Sequence, residues 1–195
     1  MGKHILIIQS HPDASKAHFC HALAESYAQS AKAAGHEVRT VDVARLRFPL
    51  LRSQDEWTAG PLPDDLAPVQ DDIRWAQHLV FFYPLWLGSM PAMLKGFLEQ
   101  VARPGFAIGK MDGKGLPKKL LAGRSARVVV TMGMPALAYR WFFFAHSLRV
   151  LKRNILGGVG ISPVRDSVVG SVEAMGPAGR QAWLGRMASF GRAGA

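Results

Sequence analysis

Apolar residues fall along the chain in short blocks that alternate with stretches of helical period. His4–Gln9 (HILIIQ) is a short β-branched run, the pattern of a buried strand. From residue 19 to 34, Phe19, Leu23, Tyr27 and Ala31 recur every fourth position and predict a helix, which Gly35 closes. Residues 38–43 predict a second strand. Leu66, Val69, Ile73 and Ala76 share one face of a helix over 64–76, whose acidic start suits the helix dipole. LVFFY at 79–83 is the most hydrophobic strand candidate. A helix over 91–101 follows, with Pro91 in its first turn, where a missing N–H does no harm. The remaining pattern predicts a strand at 127–131, a helix over 139–155, a strand at 158–164 and a closing helix over 179–190.

Five strands alternating with helices imply an open parallel α/β sheet with helices on both faces, and no linker divides residues 1–195 into more than one domain. Segments 45–63 and 104–123 read as surface loops. A content of 49% hydrophobic residues excludes disorder. One cysteine, Cys20, excludes an internal disulfide framework and suits a reducing cytoplasm. The net charge of +10 favours a phosphate-bearing or otherwise anionic partner. No Lys/Arg run is long enough for a nucleic-acid arm, and no apolar run approaches the roughly 20 residues of a membrane span. The first residues lead into a strand and not into a signal peptide or myristoylation motif.

In a parallel sheet, ligands bind beyond the carboxyl ends of the strands. Three loops qualify: 10–20 after the first strand, 83–91 after the third and 131–135 after the fourth. The first opens a helix, whose unpaired N–H groups and dipole favour an anion, with Ser15, Lys16, His11 and His18 as further donors and Ser15 also a candidate cap. No P-loop or dinucleotide glycine motif is present; Gly113-Lys114-Gly115 is too little. His11, His18, Cys20 and His21 fit no zinc spacing, so no metal is expected. Cys20, on an apolar helical face, reads as a small hydrophobe.

With His11-Pro12, Phe19 and Ala22-Leu23, then Pro84-Leu85-Trp86 and Pro91-Ala92-Met93-Leu94-Lys95-Gly96-Phe97, then Gly105-Phe106-Ala107, in this order and spacing, the sequence resembles the flavin-dependent NAD(P)H:quinone oxidoreductases of the flavodoxin-like fold. That group includes ancillary subunits of bacterial potassium-efflux systems. The resemblance implies a five-stranded flavodoxin-like domain binding FMN or FAD. It puts the flavin phosphate at His11, Ala17, His18, Phe19 and Cys20, and the ring at Pro84, Leu85, Trp86, Leu87, Thr131, Met132, Gly133 and Met134. Backbone N–H groups of Trp86 and Leu87 are expected to hold the reduced ring's charge, and Tyr139 and His146, sharing a helix face, to hydrogen-bond the acceptor. The sequence departs from the family where Leu87 replaces a second tryptophan, Thr131-Met132-Gly133-Met134 replaces Thr-Thr-Gly-Gly, and Cys20 replaces asparagine.

The implied reaction passes hydride from NAD(P)H through the flavin to a quinone-type acceptor, and the positive charge leans towards NADPH. A homodimer with the site at its interface is implied, the aromatics at 139–144 serving there. The alternatives are a regulatory flavoprotein held peripherally on a membrane transporter, and an electron-transfer flavodoxin.

Overall fold

The computed structural model describes residues 2–109 and 117–195, so Gly113-Lys114-Gly115 lies outside the described residues. In chain order the elements are β1 (His4–Gln9), α1 (Phe19–Ala33), β2 (Glu37–Asp42), α2 (Gln54–Thr58), α3 (Ala67–Trp75), β3 (His78–Pro84), α4 (Ala92–Val101), β4 (Ser125–Thr131), α5 (Ala136–Trp141), α6 (His146–Arg149), β5 (Val164–Val169) and α7 (Pro177–Ala193). The five strands form one sheet in the order β2-β1-β3-β4-β5, every pair parallel. This is the doubly wound arrangement that the alternating pattern predicts.

Strand periodicity divides the core between the two faces. Ile5, Ile7, Val80, Phe82 and Val129 pack under α1 and α7. Leu6, Ile8, Leu79, Phe81, Val128 and Val130 pack under α3, α4 and the segment that follows α5. Gly191 lets α7 lie close on α1, since a Cβ there would fall 2.3 Å from the Tyr27 carbonyl oxygen.

Three expectations change. The fifth strand is Val164–Val169, not 158–164. Its first half is polar because it lies on the sheet edge: Arg165 is exposed, and Asp166 pairs with Arg140 at 2.8 Å and with Lys152. The helix expected over 139–155 is broken. Phe144 and Ala145 take left-handed φ angles of 52° and 47°, so α5 stops, α6 starts afresh, and a π-helical stretch carries Val150–Leu156. The run Trp141-Phe142-Phe143-Phe144 is apolar at every position, so no single helix face can bury it, and all four rings stay exposed. The segment 45–63 is also less plain than a loop: it contains α2, capped by the Ser53 Oγ accepting the Glu56 N–H at 3.1 Å.

Candidate active site

β1, β3 and β4 end side by side, and the residues just beyond them stay pinned to the sheet. The Ser10 N–H donates to Phe82, Leu85 to Thr131 and Met132 to Val169, at 2.8, 2.7 and 2.9 Å. These anchors hold three loops around a cavity of about 490 Å³. Of the residues expected to hold the flavin, His11, His18, Phe19, Cys20, Pro84, Leu85, Trp86, Thr131, Met132 and Gly133 line it. Ala17 and Met134 do not; Leu87 instead lines a neighbouring apolar depression of about 540 Å³ that shares Trp86.

One end of the cavity is built for an anion. His18 precedes the first turn of α1, and its carbonyl already takes the N–H groups of His21 and Ala22. The N–H groups of Phe19 and Cys20 are left without partners among the described residues and stand at the positive end of a 15-residue helix. His11 is only 7% exposed. Its Nδ1 accepts the Asp13 N–H at 3.2 Å, so the neutral ring carries its proton on Nε2, which has no partner among the described residues. Burial first, and then the imidazoles of His18 and His21, bring His11 down to about 4. Ser15 does not cap α1; its N–H and hydroxyl both bond Asp13, whose other oxygen meets His18 Nε2 at 2.8 Å. These bonds hold Asp13 well below the usual carboxylate range.

The other end is flatter. Trp86 and Ser89 exchange backbone hydrogen bonds of 2.9 Å each way across a tight turn, in which Leu87 and Gly88 take φ angles of 45° and 76°. The Trp86 N–H is thus already used, which corrects the expectation that it would hold a reduced ring; the N–H groups of Leu87 and Gly88 have no partner among the described residues. A leucine in the left-handed region with a fully exposed side chain is strained and unburied, a combination that natural sequences keep mainly at working surfaces. Gly133 lies opposite, against the Glu173 carboxylate. Cys20 is an inert thiol: burial pushes it up to about 12, and its Sγ points at Gln9 Oε1 at 3.6 Å. Among the described residues no group of side chains could hold a metal.

Tyr139 and His146 are not brought together at this cavity. The break at Phe144–Ala145 removes the shared helix face. Tyr139 is buried; its hydroxyl pairs with Ser147 Oγ at 2.8 Å and accepts the Leu148 N–H at 3.2 Å. His146 is exposed beside Phe144, with ring centres 5.7 Å apart. Sequence reasoning missed Val172 and Glu173, which line the cavity from the loop after β5. They were hidden because the fifth strand was expected too early. It also passed over Asp13, although an acid two residues before a serine in such a loop is a signal for a side-chain-closed turn.

Comparison with known proteins agrees with this architecture. The chain belongs to the family described as having a flavodoxin-like fold, whose model matches residues 3–189. It is 28% identical to a Haemophilus influenzae protein called an uncharacterized NAD(P)H oxidoreductase, over 92% of this chain and 89% of that one. A ribosyldihydronicotinamide dehydrogenase-like protein of Penicillium crustosum is 29% identical over 66% of this chain, and the match spans only 57% of that protein's length. Among solved structures, an NAD(P)H:quinone oxidoreductase from Methanothermobacter marburgensis superposes with a TM-score of 0.80 and 26% identity, covering 98% of this chain and 96% of that one.

Proposed function

We propose that this chain is a flavin-dependent oxidoreductase that passes hydride from NAD(P)H to a quinone-type acceptor. The observation that carries the reading is the cavity's two-ended chemistry. A nine-tenths-buried imidazole and two helix N–H groups, all unpartnered among the described residues, stand at one end, and the Trp86 ring and the Gly133 backbone line the rest. That donor set fits a phosphate joined to a flat, electron-accepting ring. The names of the Haemophilus and Methanothermobacter proteins point the same way.

In this reading Phe19 N–H, Cys20 N–H and His11 Nε2–H hold the phosphate. Gly133, which has no side chain, would leave its backbone open to a close approach by the ring. The bound flavin, FMN or FAD, supplies the hydride relay. The exposed Trp141–Phe144 run, with Leu87 and Val150, is the surface on which two copies pair, and His146 serves the cavity of the second copy. Tyr139 acts as a positioning residue that holds this ridge. The protein works in the cytoplasm as one domain; no described helix is long and apolar enough to cross a membrane.

The test is the absorption spectrum of the purified protein, followed by titration with FMN and FAD and by stopped-flow reduction with NADH or NADPH and reoxidation by a quinone. Flavin bound and turned over is expected. A protein that binds neither flavin, by spectrum or by thermal shift, overturns the reading. A second reading rests on the 42% identity, over 39% of this chain, to a protein of Serratia proteamaculans called an ancillary protein of a glutathione-regulated potassium-efflux system. Flavin binding without quinone turnover, together with co-fractionation with membranes, favours it.

A further inference from the structure

The cavity does not end at Trp86. That residue also stands in the wall of the neighbouring depression of about 540 Å³, which shares Lys95 and Ile155 with a further one of about 580 Å³. The two depressions follow one another along α4. Ala92 lines the first, Glu99 and Ala102 the second, and Lys95 both. Their spacing of three, four and three residues puts these four side chains in one stripe down a single helix face. From Ala92 to Ala102 that stripe is about 15 Å long.

The opposite wall comes from the π-helical stretch Val150–Leu156. A π turn takes more residues than an α turn, so Val150 and Ile155, five apart, come to the same side, and both line the depression beside Trp86. In an α-helix they would diverge. Leu51 and Trp57, from the segment around α2, close the far end. The only polar side chains in the near depression are Ser89, Ser147 and Lys95, and Lys95 is paired with Glu99. Arg52, Ser53 and Gln54 stand only at the far rim.

Such a lining gives nothing to the phosphates of a nicotinamide nucleotide, whereas a hydrocarbon chain loses no hydrogen bond by lying in it. The trough opens at Trp86, beside the place where the acceptor must meet the flavin, so a chain lying in it belongs to the acceptor. We propose that the α4 stripe and the π-helical wall form a tail site, and that the acceptor is a quinone carrying a long hydrocarbon chain. The proposal rests on the flavin reading and names the acceptor class within it. Where two copies pair over Leu87 and Val150, the second copy roofs the mouth of the trough. The tail takes no part in bond making; hydride and a proton go to the quinone head and leave it as the quinol.

The experiment titrates the flavin-loaded protein, without NAD(P)H, with benzoquinones of one head group bearing no tail, a butyl tail or a decyl tail. Binding is read by calorimetry, and the same three quinones are then followed in turnover. Full burial of a CH₂ is worth roughly fourfold in affinity, and an open trough gives part of that for each carbon. Kd and KM should therefore fall at least about thirtyfold from the tail-less to the decyl quinone, with kcat nearly unchanged. Trp57→Ala removes the far wall and should weaken the decyl quinone about three- to tenfold, sparing the butyl quinone, which does not reach it. Ala92→Glu sets a charge at the exposed start of α4, where a helix accepts an acid, and should weaken both tailed quinones relative to the tail-less one. Equal binding of all three quinones overturns the tail site and leaves the flavin reading intact. A tail gain that survives both variants also overturns it, since the chain then lies elsewhere. So does the absence of a tail gain joined to a fall from pair to monomer in Trp57→Ala, read by sedimentation, which assigns the trough to the second copy. Failure to bind either flavin or any quinone overturns both readings.

Discussion

The cavity rim and the ridge at 136–156 meet across β4, yet they are built by opposite rules. The rim is mostly three loops, leaving β1, β3 and β4, whose register is locked on both sides, so its backbone direction is inherited from the sheet. The ridge hangs from the end of one strand and returns only at β5. It is held by particular bonds: Tyr139 hydroxyl to Ser147 and Leu148, Ala145 N–H to the Tyr139 carbonyl at 3.0 Å, and Asp166 to Arg140 and Lys152. Where a sheet supplies the geometry, side chains are free to serve a ligand. Where it does not, they must first hold the backbone, and Tyr139 is spent that way.

The sharpest break comes where the two regions touch. A Cβ on Gly170 would fall 2.3 Å from the Ala136 nitrogen and 2.8 Å from the Met134 oxygen, both backbone atoms that cannot turn aside. Gly170→Val should lose stability at or beyond the upper end of the roughly 1–3 kcal/mol typical of overpacking, measured by urea unfolding, and should loosen rim and ridge together. Tyr139→Phe leaves the buried Leu148 N–H without a partner and should cost about 1–3 kcal/mol. Trp141 fluorescence should shift while flavin affinity holds. Unchanged stability would mean the ridge is held by packing alone.

Smaller effects sharpen the contrast. Ala145→Gly removes the left-handed penalty of roughly 1–2 kcal/mol, offset in part by the freer unfolded chain, so the net gain should stay under about 1 kcal/mol by thermal unfolding. Gly133→Val should barely change stability. Gly133 is not among the residues with positive φ, and its nearest neighbour is the movable Glu173 carboxylate. The branched side chain would instead stand in the cavity and expel the flavin, which the spectrum of the purified variant reads directly. Full flavin content in Gly133→Val would place the ring away from this turn.

The sheet was legible because its signal is local. Runs such as HILIIQ and LVFFY are buried on both faces and admit no other element, so β1 was read to the residue and β3 to within one at each end. The loops after them followed, and with them most of the cavity lining. β5 was misread because an edge strand needs apolar residues only where it is covered; Arg165 and Asp166 look like loop until their partners are known. The break at Phe144–Ala145 had no local signal at all, since neither residue is a glycine and the strain is sustained by tertiary bonds. Glu173 was lost with the misplaced β5, whereas Asp13 had a local signal in its spacing from Ser15.

The strand order has one more consequence, for how this molecule tolerates crowding. A sheet in the order β2-β1-β3-β4-β5 ends in two unpaired strand edges, each a template for runaway growth. Here β2 carries exposed Glu37, Arg39 and Thr40, and β5 starts at Val164, directly after Pro163, which has no N–H to offer, and carries exposed Arg165. Both margins are blunted by charge, so edge-to-edge stacking into fibres is discouraged even at high concentration.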